Sequence, residues 1–263
     1  MEHDPFTKRL NPKTTKMKVG IKLWSTNPGE YVDNAGFADF VEVMAADMRG
    51  IRRFAKKPYS YTVHVPHESF GFSPLLNYSK SKKLLERAVK AARLLKAEWI
   101  IMHNVNINAK PSEKTAAEAV KAVVRLVKSS GAGNILIENS CSYTFFKGKD
   151  AINYFGYTPG HMKELLQRSG AGFCLDLEHV AVTSHHLGTD FGKEAKALMM
   201  LKPDYFHLSG TRHATKKHHT SIFDSDMDAD LTKALLKKAG KPVCLETPID
   251  VEQRKREVEF LKR

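Results

Sequence analysis

Eight short runs of β-branched and apolar residues recur along the chain, and helical patterns separate most of them. The runs are Lys18–Trp24, Phe40–Met44, Tyr61–Val65, Trp99–His103, Asn134–Asn139, Phe173–Asp176, Tyr205–Leu208 and Pro242–Glu246. Strands that alternate with helices pair in parallel through right-handed crossovers. Eight such units in 263 residues predict an α/β protein made of a single closed (β/α)8 barrel with parallel strands.

The helices between these strands are indicated by apolar residues at i, i+3 and i+4 and by signals at the helix ends. They are predicted at Ser81–Lys96, Thr115–Lys128, Gly160–Arg168, Leu231–Ala239 and from Asp250 to Leu261. Thr158 followed by Pro159 is typical of a helix N-terminus, and Gly240 of a C-terminus. The barrel is predicted to span residues 18–263, after a flexible basic tail at residues 1–17.

An open doubly wound sheet is the alternative to a barrel. Such a sheet would need a glycine-rich phosphate loop after its first strand, with the pattern GxGxxG. Residues 24–29, WSTNPG, do not match that pattern. The sequence therefore favours the closed barrel.

The charge of the chain is strongly positive, with 42 Lys and Arg against 29 Asp and Glu and a net charge of +13. This suits a polyanionic partner or a phosphorylated substrate, although a lysine-rich solubilising surface has the same composition. No apolar run is long enough to span a membrane, and residues 1–20 do not resemble a secretory signal. Three cysteines without a CxxC pair indicate a reducing, cytoplasmic compartment. The oligomeric state has no signal in the sequence.

Polar side chains end six of the predicted strands, at the end of a barrel where active sites are built. They are His64 (with His67 shortly after it), His103, Glu138, Asp176, His207 and Glu246. One such residue alone is more simply a hydrogen-bonded core histidine or a helix cap. Together, these imidazoles and carboxylates are suitable ligands for Zn2+, Mn2+ or Mg2+. Burial of six such groups without a cation would be costly, so the pattern predicts a divalent metal site.

The order and context of these strand ends resemble the xylose-isomerase-like TIM barrel superfamily, which includes endonuclease IV and many sugar isomerases and epimerases. The metal quartet of that superfamily corresponds to Glu138 in ILIEN, Asp176 in CLDLEH, His207 in FHLSG and Glu246 in CLETP. Its Asp-x-x-His pattern is met by Asp176 and His179. The resemblance runs from Lys18 to about Ile249, and it implies one to three Zn2+ or Mn2+ ions.

Endonuclease IV has further metal ligands, and the resemblance implies their counterparts here. His103 in IIMHN is one. A second is either His64, because VHVP resembles His-Ala-Pro-Tyr, or His67, because PHESF resembles Pro-His-Asp-Ser-Tyr; His64, directly after the apolar strand, is favoured. His179 and His218 would hold a third ion, with His218 matching the histidine of an Asp-x-His pair after strand seven.

Lys216 departs from the endonuclease pattern, which has aspartate two residues before His218. Lysine does not replace a carboxylate ligand, so Lys216 or Lys217 would instead bind a phosphate of the substrate. Asp224 or Asp226 could supply the missing ligand instead. The alternative for the whole loop is a solvated basic segment.

Two functions from different classes follow from the resemblance. The first is that of a metal-dependent hydrolase that cleaves phosphodiester bonds at abasic sites in damaged duplex DNA, with a metal pair bridged by Glu138. The second is isomerisation or epimerisation of a sugar or sugar phosphate, with Glu138 and Glu246 exchanging a proton at the substrate carbon. A metal-binding barrel without turnover is a third possibility. The extra histidines and the positive charge favour the hydrolase.

Overall fold

The computed structural model describes residues 17–26, 32–146, 149–247 and 250–263. Eight parallel strands form a closed barrel in which neighbouring strands pair in register and the last pairs with the first. These strands are β1 (Val19–Trp24), β2 (Phe40–Met44), β3 (Tyr61–His64), β4 (Ile100–His103), β5 (Ile135–Glu138), β8 (Gly172–Asp176), β9 (Tyr205–Leu208) and β12 (Val243–Leu245). The predicted (β/α)8 barrel is confirmed, and no strand end differs from its predicted position by more than one residue.

Eight α-helices surround the barrel in the described part of the chain. They are α1 (Met48–Phe54), α2 (Tyr78–Leu95), α3 (Glu113–Ser129), α4 (Pro159–Ser169), α5 (Leu177–Leu187), α6 (Phe191–Met199), α7 (Ala229–Ala239) and α8 (Val251–Lys262). The five predicted helices are confirmed, including the Thr158 cap of α4 and the left-handed Gly240 after α7. None of the described helices is long and apolar enough to cross a membrane.

Three helices, α1, α5 and α6, were not predicted. The first is only 7 residues long, too short to show a periodic pattern. Helix α5 starts directly at Asp176, whose side chain caps it, and most of its residues up to Ser184 are buried. A helix buried on nearly all sides has no polar face, so its sequence lacks the amphipathic spacing that reveals the others.

Two antiparallel hairpins extend from the C-terminal end of the barrel. Strands β6 (Tyr143–Phe146) and β7 (Lys149–Ile152) follow β5, and β10 (Gly210–Arg212) and β11 (Lys217–Thr220) follow β9. The second hairpin contains His218, which the sequence analysis places after the seventh strand of the barrel, here β9. Neither hairpin was predicted from the sequence.

The opposite end of the barrel interior is closed by a small cluster of buried side chains. Its members are Phe40, Ile101, Leu136, Cys174, Tyr205 and Cys244. Polar side chains lie at the other end of the barrel interior.

Of the predicted tail, residues 1–16 lie outside the described part of the chain, whereas Met17 is buried in the main core.

Candidate metal centre

The predicted strand-end residues come together at the C-terminal mouth of the barrel. His64, Glu138, Asp176 and His207 are almost completely buried there. A cavity of about 380 Å3 opens over them and is lined by Glu138, His103, His179 and Glu246 among others. The strand ends therefore converge as expected, and they do so below an open cavity.

Hydrogen bonds to the backbone fix the ends of β5 and β8. The Asn104 amide donates to the Glu138 carbonyl at 2.7 Å. Asn139 accepts a hydrogen bond from the Asp176 N–H at 2.7 Å and donates to the Asp176 carbonyl at 3.1 Å. Gly156, at φ +80°, lies against the Asn104 side chain, where a Cβ would clash. These contacts hold Glu138 and Asp176 in place beneath the cavity.

Glu138 lies between two groups of donors. Its Oε2 is 3.1 Å from His64 Nε2 and 3.4 Å from His103 Nε2. Its Oε1 is 3.4 Å from His207 Nδ1 and 3.5 Å from His179 Nδ1. His64, His103 and Glu138 form one set with ligand atoms within 4.8 Å of one another, and Glu138, Asp176 and His207 form a second set. One carboxylate is thus shared by two sets that could each hold an ion.

Each of the four histidines around Glu138 has one ring nitrogen bound to an acceptor of the protein. The pairs are His64 Nδ1 with the Val65 carbonyl at 2.7 Å, His103 Nδ1 with Glu68 at 3.0 Å, His179 Nδ1 with the Asn139 carbonyl at 2.7 Å, and His207 Nε2 with Glu42 at 3.0 Å. Such contacts fix the tautomer and the ring orientation of metal-binding histidines. The second ring nitrogen faces Glu138 in His64, His103 and His207, whereas His179 faces Glu138 with the nitrogen that is already bound to the Asn139 carbonyl.

His207 gives the clearest indication that these residues fit a cation. Among the described residues its buried Nδ1 has no hydrogen-bond partner. It nevertheless lies 2.8 Å from Glu246 Oε1 and 3.4 Å from Glu138 Oε1. A ring nitrogen and carboxylate oxygens that converge without hydrogen-bond geometry are a donor set suited to Zn2+ or Mn2+.

Two charged residues that the sequence analysis missed lie beneath this set. The Lys22 ammonium is 2.6 Å from Glu246 Oε1 and 3.5 Å from Glu42 Oε1, with all three side chains buried. Burial alone would lower the pKa of Lys22, but the carboxylates of Glu246 and Glu42 outweigh it and raise that pKa above its ordinary value. Lys22 is therefore a fixed positive charge inside the barrel.

Glu178 is a third residue that the sequence analysis missed, although it follows Asp176 closely in CLDLEH. Its buried carboxylate lies 3.0 Å from His218 Nδ1 and 3.2 Å from His219 Nδ1, and it accepts a hydrogen bond from the Ser209 hydroxyl at 2.7 Å. Glu178 thus fixes both histidines of β11 at the edge of the cavity. The predicted His218 lies at the cavity edge, beside this carboxylate.

The structure separates the two candidates His64 and His67. His64 ends β3 and contacts Glu138, whereas His67 caps the short 3-10 helix Glu68–Phe70. The His67 ring packs edge-on against Trp24, with 5.6 Å between ring centroids. Burial, together with the neighbouring charge on His103, lowers the pKa of His67 to about 3. His67 is therefore a neutral aromatic residue at the rim of the site.

Lys216 and Lys217 lie outside the mouth cavity. The Lys216 ammonium is 2.9 Å from Asp150 in the other hairpin, and Lys217 is exposed on β11. Asp224 pairs with Arg212, and Asp226 accepts a hydrogen bond from the backbone N–H of His213 at 2.7 Å. Each of these carboxylates thus has a partner within its own loop.

A neighbouring groove of about 350 Å3 contacts Lys216. Its lining also includes Asp150, Arg212 and His218, and His218 is shared with the mouth cavity. Two other lining residues, His185 and His213, stack face to face with 3.9 Å between ring centroids. The groove therefore leads from the mouth along a surface rich in imidazole and basic side chains.

Burial and neighbouring charges shift the pKa values of the groups around Glu138 in different directions. Burial would lower the pKa of His103, but Glu68 and Glu138 raise it to about 9. Burial raises the pKa of Asp176 to about 6 despite the neighbouring His179. Burial would raise the pKa of Glu138, yet His103 and His207 hold it well below its usual range. Perturbed pKa values that cluster around a cavity are typical of functional sites.

Comparisons with known proteins agree with this fold. One family model, described as a xylose isomerase-like TIM barrel, matches residues 30–263. Among curated proteins, no sequence matches significantly. The similar solved structures include a D-tagatose 3-epimerase-like protein at 16% identity, with a TM-score of 0.71, covering 94% of this chain and 96% of that chain.

Two further similar structures have different activities in their names. Endonuclease IV from Thermus thermophilus shares 16% identity, with a TM-score of 0.68, over 93% of this chain and 97% of that one. D-allulose 3-epimerase from Methylomonas sp. in complex with D-allulose shares 15% identity, with a TM-score of 0.65, over 89% of this chain and 84% of that one. At these identities the likeness shows the fold alone.

Proposed function

The chain belongs to the xylose isomerase-like TIM barrel family, and within that family we propose that it is a hydrolase of phosphodiester bonds at abasic sites in DNA, with two divalent metal ions bridged by Glu138. The single observation that supports this most strongly is the shared position of Glu138. Its two oxygens face different sets of imidazoles, and acceptors of the protein hold each ring in place.

The proposed roles of the residues follow from this geometry. His64 and His103 would hold one Zn2+ or Mn2+ ion with Glu138, and Asp176, His207 and Glu246 would hold a second. Bound ions would neutralise charge on the phosphate and lower the pKa of the attacking water. His179 and His218, at the edge of the cavity, would contact the phosphate or a third ion.

The positive net charge of the chain suits binding to a long polyanion. The net charge of +13 suits a DNA backbone, and the groove beside His218 gives that backbone a path away from the mouth. The reacting nucleotide would have to be flipped out of the helix into the cavity. Binding of this kind weakens steeply as salt concentration rises.

The second candidate function is epimerisation of a sugar or sugar phosphate with one metal ion. One observation favours it: Glu246 and Glu138 both lie within 3.4 Å of the same His207 nitrogen, as a single-ion site with two acid–base carboxylates requires. The hydrogen bond from Lys22 to Glu246 Oε1 occupies one of these carboxylates. His64 and His103 would have no ligand role in this reaction.

Incubation with two substrate sets separates the candidates. The protein, supplied with Zn2+ or Mn2+, is expected to cut a duplex that carries one tetrahydrofuran abasic analogue and to leave the undamaged duplex intact. Cleavage is measured on a denaturing gel, with chelator as the control. Conversion of ketopentoses or ketohexoses by the same preparation, with the abasic duplex left intact, would instead establish the epimerase.

Lys216 tests whether the groove binds the DNA backbone. Lys216→Ala is expected to reduce the slope of log affinity against log salt for the duplex by about 0.9, the value for one lost phosphate contact. Metal content should stay unchanged, because the Lys216 ammonium pairs with Asp150 and not with the histidines of the proposed metal sites. Lys255→Ala, an exposed lysine on α8, is the matched control. An unchanged slope would show that the loop is only a solvated basic segment.

A further inference from the structure

A tryptophan lies at the edge of the mouth cavity. Trp24, the last residue of β1, is 41% exposed, and it lines the same cavity as Glu138 and Glu246. Among the described residues that line this cavity, it is the one large apolar side chain left exposed. An indole that is half in water at the entrance of a polar site has apolar area available for a ligand.

Neighbouring rings hold this indole in a defined orientation. The His67 ring packs edge-on against it, with 5.6 Å between centroids and 81° between planes. The Phe70 ring lies 5.8 Å away, tilted by 44°. His67 in turn stacks on His103, with 6.0 Å between centroids, and His103 contacts Glu138. An aromatic row of Trp24, His67 and His103 thus runs from the rim to the donors around Glu138.

We propose that Trp24 is a stacking platform for the nucleobase next to the abasic nucleotide. This inference rests on the proposed function, because it assigns a position to the base that flanks the reacting phosphodiester. A planar base presents a π-face that an aromatic side chain binds with little regard to sequence. The aromatic row links that base to His103, so that stacking at the rim fixes the distance between the base and the metal donors.

The chain contains two tryptophans, and this makes the stacking directly measurable. Trp99 precedes β4 and lines a separate pocket with Lys18 and Pro242, at the opposite end of the barrel. In the Trp99→Phe variant, Trp24 is the single tryptophan, and excitation at the long-wavelength edge of the indole band avoids the 8 tyrosines. The probe is a short abasic duplex with phosphorothioate linkages beside the lesion, which slow incision during the measurement.

The expected result is strong quenching of Trp24 emission when the Trp99→Phe variant binds this probe, and weaker quenching when the base beside the lesion is also removed. Trp24→Ala should weaken binding of the probe by about 5- to 150-fold, the range for loss of one base–aromatic stack. Trp24→Phe should recover most of this affinity. Metal content should be the same in all variants.

The outcomes separate this inference from the proposed function. If the Trp99→Phe variant binds and cuts the abasic duplex while Trp24 emission is unchanged, the stacking role is wrong and the hydrolase stands. If the wild-type protein neither binds nor cuts the duplex, both are wrong. The fluorescence measurement keeps Trp24 in place, so it decides the question even if Trp24→Ala is unstable.

Discussion

Glu138→Gln is expected to reduce hydrolysis of an abasic duplex on the order of a thousand-fold or more. An amide offers one neutral oxygen ligand, so it cannot bridge the two donor sets that the Glu138 carboxylate joins. The variant should also lose at least one metal ion per chain, which mass spectrometry of the purified protein measures. The fold should persist, because Glu138 lies at the barrel mouth rather than in the apolar core.

Glu164→Gln is the matched control for this experiment. Glu164 is half-exposed on α4, where it pairs with Arg168. Circular dichroism and thermal unfolding of both variants distinguish loss of the site from loss of the fold. Full activity of Glu138→Gln with an unchanged number of ions would show that the carboxylate does not bridge a metal pair.

Lys22→Met is expected to destabilise the metal-free protein by about 3–5 kcal/mol, because it leaves buried carboxylates without their cation. Glu42 and Glu246 would then lie close together with the His207 ring as their shared cationic neighbour. Bound Zn2+ or Mn2+ should restore part of this stability by supplying the missing charge. Urea unfolding with and without metal measures both effects.

The control for Lys22→Met is the same substitution in an exposed ion pair with the same distance between nitrogen and oxygen. Lys255 lies 2.6 Å from Glu252 on the surface of α8, as close as Lys22 lies to Glu246. Lys255→Met should cost less than about 1 kcal/mol, because exposed ion pairs contribute little to stability. Equal effects of the two substitutions would mean that Lys22 does not hold the buried carboxylates together.

The barrel and most of its mouth could be predicted from the sequence because both leave local patterns. Glu138 and Asp176 each end an apolar run, and parallel strands bring such ends together. Helix ends such as Thr158–Pro159 have a fixed chemistry that a sequence shows directly. Helix α5 shows the limit, because a helix buried on nearly all sides lacks the spacing that marks an amphipathic one.

The supporting charges were missed because their role depends on the closed barrel. Lys22 and Glu42 lie inside the apolar runs KVGIKLW and FVEVM, and a charge at such a position is the signal that could have found them. Their pairing with Glu246 and His207 joins strands far apart in sequence. The contact of Lys216 with Asp150 likewise depends on two hairpins, whose approach no short motif indicates.

Counting and locating the metal ions tests the central claim most directly. The protein would be purified, supplied with Zn2+, freed of excess metal and measured by mass spectrometry, and anomalous scattering from its crystals would locate the ions. We predict at least two ions, one among His64, His103 and Glu138 and another among Glu138, Asp176, His207 and Glu246. A single ion on the second set, with His64 and His103 bound to no metal, or no ion at all, would contradict the proposed metal-pair hydrolase.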